Sequence, residues 1–214
     1  MLKDIQGAIF DLDVTLLDSM WIWEQIDIDY LSQKVHNVPK NLKDEINHLS
    51  FQETANYFKN TFNIEDSIEE IQNTWHKMAY DHYNNNVTLK PGVMTFLNYL
   101  KENRIKIGLA TSNSTELLTA GLRSTGIEKY FDQITITDEV KKGKNNPDVY
   151  LLAAKKLGVE PNKCIVFEDI LEAVNGAKLA NMKVVAIYDK AAEYQKEMLI
   201  STADKYITDF TELI

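Results

Sequence analysis

Apolar runs rich in β-branched residues recur along the chain at IQGAIF (5–10), IKIGLA (105–110), QITIT (133–137), CIVF (164–167) and KVVAIY (183–188). After the first, each is separated from the next by a segment of helical period. Such alternation predicts a doubly wound α/β fold, a parallel sheet covered by helices on both faces. The punctuation between the runs agrees. Pro91 and Gly92 precede VMTFLNYLKEN, and Ser114 or Thr115 can cap ELLTAGLRST. Pro147 stands where the first helical residue of DVYLLAAKKLG belongs, with Gly158 behind it. KYIT at 205–208 predicts a further strand at an edge.

The first and second strands are separated by about 95 residues, where a βα connection needs only a few tens. An insertion is implied, with the α/β core formed by residues 1–18 and 86–214 and an inserted helical domain by residues 19–85. Within the insert Ile68, Ile71, Trp75, Met78 or Ala79, and His82 fall at helix spacing. FQETANYF follows a possible Ser50 cap. MWIWEQIDIDYL carries apolar residues on nearly every face, so Trp21 and Trp23 are expected to pack rather than to contact a ligand.

The first run ends in IFDLDVTLLDS, which sets Asp11 and Asp13 where a strand would still be burying side chains. An ionised carboxylate taken from water needs a cation, a proton or a route to solvent. One reading is a strand leaving into a solvated turn, with Asp18 and Ser19 starting the next helix. The other is a site. In a doubly wound sheet, chemistry collects beyond the carboxyl ends of the strands, near the point where strand order reverses. After the first run come Asp11 and Asp13; after the second, Thr111, Ser112 and Asn113; after the fourth, Glu168 and Asp169. Lys144 precedes the helix leading to that fourth strand. Carboxylates from different strands form a hard oxygen site suited to Mg2+. Read singly, Thr111 can be a strand-end cap, Asp169 an N-cap for LEAVNGAKLA, and Lys144 a solvated lysine like Lys141 and Lys142.

Composition narrows the partners. The formal net charge of −9 disfavours a non-specific grip on nucleic acid or an anionic membrane. The single cysteine, Cys164, excludes an internal disulfide and fits a reducing compartment. No apolar run approaches the ~18 residues that span a bilayer, and no secretory leader pattern opens the chain, so the cytoplasm is the expected location. Oligomeric state leaves no mark in the sequence.

These residues, in this order, resemble the haloacid dehalogenase superfamily, and within it the helical-capped phosphatases and β-phosphoglucomutase-like proteins. The family pattern D-x-D-x-T is matched by Asp11, Asp13 and Thr15; the hydroxyl ending the second strand by Thr111; the lysine of the third motif by Lys144 in GKNNPD; and the acidic fourth motif by Glu168 and Asp169 in FEDI. The resemblance implies a Rossmann-like core with a helical cap, and Asp11 as the nucleophile that forms an aspartyl-phosphate. It implies Asp13 as general acid and then base, with Mg2+ held by the Asp11 and Asp169 carboxylates and the Asp13 main-chain carbonyl, and Glu168 supporting the metal from behind. Thr111 and Lys144 would hold phosphoryl oxygens, with main-chain N–H groups near residues 12 and 112 as further donors. Ser112 and Asn113 lie beside them as candidate substrate contacts. His48, Ser50 and Gln52 of the insert occupy a segment that faces the substrate in relatives.

The implied activity is Mg2+-dependent hydrolysis of a small phosphomonoester, phosphosugars among the candidates. Metal-independent dehalogenation is disfavoured by Asp13 and the acidic fourth motif. A receiver-like phospho-acceptor module lacks such an insert. A phosphosugar mutase needs a grip on a second phosphate, for which arginine is the usual forked donor. Arg104 and Arg123, the chain's arginines, both fall outside the insert, leaving lysines such as Lys34, Lys40 or Lys59 for that task. The chain departs from the family pattern at Val14, a usual Gly; at Asn145, a usual Pro; and at Ile170, Ala173 and Asn181, in place of a Ser and two Gly.

Overall fold

A computed structural model of the chain describes residues 1–34, 38–39, 42–46 and 51–214. The chain divides into two compact units, residues 1–18 with 87–214, and residues 19–86.

The first unit is built on a six-stranded sheet. Its strands are β1 (Gly7–Phe10), β4 (Lys106–Thr111), β5 (Gln133–Ile136), β6 (Cys164–Glu168), β7 (Lys183–Ile187) and β8 (Lys205–Ile207). Their spatial order is β5-β4-β1-β6-β7-β8, and every pairing is parallel. The chain therefore winds outward from β1 through β4 to β5, returns to the other side of β1 at β6, and winds outward again. That reversal places β1 between β4 and β6, with Phe10 opposite Leu109 on one side and Phe167 on the other. Residues 11, 111 and 168 consequently emerge side by side at one edge of the sheet.

Alternation divides the strand residues between two packed faces. On one, Ile9, Ala110, Val166, Val184 and Ala186 pack against α7 (Asp148–Leu157), α8 (Leu171–Leu179) and α9 (Lys196–Thr202). On the other, Phe10 stacks on Phe167 with ring centroids 4.4 Å apart, and Phe96 of α5 (Val93–Glu102) and Phe210 close over the pair. α6 (Thr115–Ser124) starts at a Ser114 cap whose hydroxyl accepts the Leu117 N–H. Pro147 is the N-cap of α7 rather than its first helical residue, and Gly158 ends that helix in the left-handed conformation.

A short antiparallel ribbon, β2 (Leu17–Asp18) with β3 (Thr88–Leu89), lies where the chain leaves and re-enters this unit. Asp18 is thus a strand residue opposite Thr88 and not a helix cap. The turn before it contains Val14 at φ 67°. A β-branched residue at positive φ is a genuine outlier, and the departure from a usual glycine noted above lands on a backbone position that favours one. Val14 is nonetheless buried. Replacing it with glycine removes ~1.5–3 kcal/mol of burial and adds ~0.5–1 kcal/mol of glycine entropy, but relieves ~1–2 kcal/mol of left-handed strain. The net cost expected for Val14→Gly in urea denaturation is about 1.5 kcal/mol, against about 3 kcal/mol for Val184→Gly at a buried, unstrained strand position. Asn181, another such departure, also sits at positive φ (59°), where Asn is among the better tolerated side chains.

The second unit contains α1 (Met20–Lys34), α2 (Leu42–Ile46), α3 (Phe51–Thr61) and α4 (Ile68–Asn85). Buried residues recur at helix spacing: Ile22, Ile26 and Tyr30 on α1, and Ile71, Trp75, Ala79 and Tyr83 on α4. Trp75 meets Tyr30 and Phe58 edge-on at 5.8 and 5.1 Å. Ser67 and Glu70 form a reciprocal capping box at the start of α4. Trp21 and Trp23 pack edge-on against His82 and Phe51. No helix among the described residues is long and apolar enough to cross a membrane.

Candidate active site

The three adjacent strand ends deliver the polar residues singled out in the sequence. Asp11 follows β1 directly, and its N–H donates to the Phe167 carbonyl at 3.0 Å, so its backbone still belongs to the sheet while its side chain leaves it. Glu168 is the last residue of β6 and Asp169 the next. All three carboxylates are buried, and each offers an oxygen within 4.8 Å of those of the other two.

Lys144 reaches this cluster from the loop before α7. Its Nζ donates to Asp11 Oδ1 in a short contact and to Glu168 Oε1 at 2.8 Å. With its side chain only 10% exposed, it is no solvated surface lysine. The loop is held against α8 at Gly176, where a Cβ would stand 1.9 Å from the Lys144 carbonyl oxygen. Only a residue without a side chain admits so close an approach.

Three buried carboxylates facing one ammonium are under-neutralised. Burial raises Asp11 above its ordinary pKa, with Lys144 opposing and Asp13 adding to the rise. Burial, reinforced by Asp11 and Asp169 against the pull of Lys144, pushes Glu168 up to about 8. Burial and Asp11 push Asp169 up to about 7, again against Lys144. For Lys144 burial acts downward, but Asp11 and Glu168 outweigh it and hold the ammonium protonated. A divalent cation among the carboxylates supplies the missing positive charge, and an all-oxygen donor set is what a hard cation takes. The residues therefore fit a divalent metal.

Asp13 is half-buried, and its Oδ2 accepts the Asn113 Nδ2–H at 2.7 Å. Asn113 is itself fixed, because its Oδ1 accepts the Ser114 N–H and its own N–H donates to Thr111 Oγ1. The Thr111 hydroxyl thus serves the turn after β4, as a strand-end cap would, while its buried position sets it at the edge that carries Asp11. Ser112, between them, is exposed. The N-cap of α8 is Ile170 and not Asp169, which leaves the Asp169 carboxylate to the cluster.

In the insert, Gln52 is exposed at the start of α3 and its Oε1 accepts from Gln72 Nε2 at 3.0 Å. His48 and Ser50 lie outside the described residues, as does Lys40. Lys34 pairs with Asp66 at 2.7 Å, and Lys59 donates to the carbonyls of Ile64, Glu65 and Asp66.

Two supporting residues, Tyr150 and Gln195, escape a reading of the sequence, and a third, Thr15 of the D-x-D-x-T pattern, had no role assigned there. The Thr15 hydroxyl donates to Asp169 Oδ1 at 3.4 Å. The Tyr150 hydroxyl bridges Glu168 Oε1 at 2.8 Å and the Ala173 carbonyl at 3.2 Å, which satisfies a phenol buried at a core position of α7. Gln195 Oε1 accepts the Leu171 N–H at the start of α8. The cue for Tyr150 was its polar tip at an otherwise apolar helix position; Gln195 gave none.

Comparison with known proteins places this arrangement. Residues 8–187 match the family model described as haloacid dehalogenase-like hydrolase. The phosphorylated carbohydrates phosphatase of Thermotoga maritima is 30% identical over 179 residues, 84% of this chain and 83% of that protein. Hexitol phosphatase B of Escherichia coli K12 is 26% identical over 99% of this chain and 95% of its own length. The crystal structure of a proposed β-phosphoglucomutase from Thermotoga maritima superposes with a TM-score of 0.86 at 27% identity, covering 98% of this chain and 96% of that one. With the family model spanning most of the chain, the protein belongs to the haloacid dehalogenase-like hydrolases.

Proposed function

We propose that the protein is a Mg2+-dependent phosphatase acting on a small phosphomonoester, with phosphorylated sugars and sugar alcohols the leading substrate class, through an aspartyl-phosphate on Asp11. The observation that carries this reading is Lys144 held between Asp11 and Glu168 in a buried acidic cluster. A lysine there offsets the charge of a nucleophilic carboxylate so that an anionic substrate can approach it. The names of the two phosphatase relatives supply the substrate class.

In this reading an Asp11 carboxylate oxygen attacks phosphorus and the bond from phosphorus to the ester oxygen breaks. Asp13, oriented by Asn113, gives its proton to the departing alkoxide. Asp13 then takes a proton from water as the water oxygen attacks the phosphoryl group, releasing inorganic phosphate and restoring Asp11. Thr111 and Lys144 hold phosphoryl oxygens, and Lys144 keeps Asp11 oriented between turnovers. Asp11, Asp169 and the Asp13 carbonyl would hold Mg2+, with Glu168 beside them; when bound, the ion supplies positive charge against the phosphoryl oxygens.

A mutase is the second reading, favoured by the similarity to a proposed β-phosphoglucomutase. It requires a cationic grip on a second phosphate, and Lys34 and Lys59 of the insert are already engaged by Asp66 and by main-chain carbonyls. Hydrolysis is the stronger reading. Purified protein incubated with a panel of sugar phosphates should release inorganic phosphate only when MgCl2 is present, with EDTA abolishing release and excess MgCl2 restoring it. Interconversion of sugar phosphate isomers without phosphate release would select the mutase, and metal-indifferent turnover would overturn the metal assignment.

A further inference from the structure

Helix α8 begins two residues after Asp169, so whatever fixes its first turn also fixes the turn that presents that carboxylate. A helix start normally satisfies its unpaired N–H groups through a Ser, Thr, Asp or Asn at the N-cap. Here the N-cap is Ile170, in extended conformation (φ −116°, ψ 148°), with no side chain able to accept a hydrogen bond. The missing acceptor comes from a distant segment. Gln195, 24 residues further on, closes the 3-10 turn Lys190–Gln195 and precedes α9. Its Oε1 accepts the N–H of Leu171, the first residue of α8, at 2.9 Å, and its Nε2 donates to the Tyr194 hydroxyl at 3.2 Å. Gln195 is buried, 6% exposed, which is unusual for a glutamine unless its polar atoms are spoken for.

We infer that Gln195 is a positioning residue for the metal-binding carboxylate Asp169: it replaces the cap that Ile170 cannot provide and so holds the 168–171 turn in register with Asp11. This rests on the proposed metal site. The physical basis is that Asp169 receives side-chain support from Thr15 only at 3.4 Å, so its placement depends chiefly on its own backbone. That backbone is continuous with β6 on one side and tied by the Leu171 N–H on the other. Groups behind a metal ligand commonly set metal affinity by ~10–100-fold. Gln195 acts one step further away, through the main chain, and a smaller effect is expected.

The test is a double-mutant cycle read by titrating the metal-free protein with MgCl2 alone in a calorimeter. Gln195→Met keeps the side-chain volume and deletes the acceptor. Ile170→Ser restores a local cap whose hydroxyl accepts another free N–H of the same turn. Gln195→Met should weaken Mg2+ binding by at least about 5-fold. Ile170→Ser in that background should return it to within about 2-fold of wild type. In sugar phosphate turnover the activation constant for Mg2+ should move while kcat at saturating metal stays within about 2-fold, a split that general loss of stability does not produce. An unchanged Mg2+ affinity in Gln195→Met, or a weakened one that Ile170→Ser fails to restore, overturns the inference. Should Gln195→Met alone not fold, the double variant must fold and bind Mg2+ as wild type does, and its failure counts against the inference equally. Wild-type protein that binds no Mg2+ overturns it as well, whereas a Mg2+-binding cycle that behaves as expected in a protein without phosphatase activity refutes the function alone.

Discussion

Replacing Asp11 with asparagine is expected to lower phosphatase kcat/KM by at least ~10,000-fold, or about 5.5 kcal/mol of transition-state stabilisation, while leaving the fold intact. Asparagine preserves the volume of the side chain and its place beside Lys144, but its amide is no nucleophile toward phosphorus. The effect on stability should be small because of what surrounds the residue. Removing one member of a buried ion pair usually costs several kcal/mol by leaving its partner unpaired. Lys144 is not left unpaired, since Glu168 still accepts from it at 2.8 Å. The substitution also removes one of three carboxylates that burial and mutual repulsion hold above their ordinary pKa values. The metal-free variant should therefore unfold within about 4 °C of the wild type, a change of roughly 1 kcal/mol or less for a chain of this size. Circular dichroism melts and phosphate release together check both halves. Substantial turnover with the asparagine in place excludes Asp11 as nucleophile, and a collapsed melting temperature would mean the cluster holds the fold together.

That tension between charge and burial made the site legible in the sequence. The strand runs were apolar, and three of them ended in residues that apolar surroundings penalise: Asp11, Thr111, and Glu168 with Asp169. Burial on both faces of a parallel sheet produces continuous apolar runs, so a carboxylate at the end of one is conspicuous. The strands at 106–111, 133–136, 164–168, 183–187 and 205–207 accordingly fall within a residue of the expected runs. What stayed hidden depends on signals the sequence does not carry. The β2–β3 ribbon is two residues per strand, too short for alternation to register. Its existence turned Asp18 from an expected cap into a strand residue. Tyr150 and Gln195 sit 18 and 24 residues from the groups they serve, Tyr150 among core residues of α7 and Gln195 at the end of a 3-10 turn beside the exposed Tyr194. Such long-range hydrogen bonds leave no periodicity behind. Val14 shows the intermediate case: its departure from a usual glycine was visible, but that it stands at φ 67° required the backbone.

Asp13→Asn separates the two halves of the proposed chemistry, and its effect should depend on the leaving group. Its carboxylate is held through Oδ2 by Asn113, which the Ser114 N–H and Thr111 hydroxyl fix in turn, so the β4 exit helps to orient the side chain. Substitution should accordingly leave Lys144 and the three clustered carboxylates in place. A sugar phosphate releases an alkoxide of high basicity, which needs a proton as its bond to phosphorus breaks, and the loss in kcat/KM expected is ~100- to 10,000-fold. An activated aryl phosphate releases a stable phenolate and needs no such proton, so its kcat/KM should fall by less than about 10-fold. The second step fares differently, because no carboxylate remains to take the proton from the attacking water. With the aryl substrate the variant should therefore phosphorylate itself quickly and lose the phosphoryl group slowly. Rapid-quench experiments should show a burst approaching one phenolate per active site, followed by slow turnover, with acid-stable phosphoprotein accumulating over the burst. Equal losses for both substrates, with no burst and no phosphoprotein, would remove Asp13 from the proton-transfer role and leave it as a residue that only shapes the turn after β1.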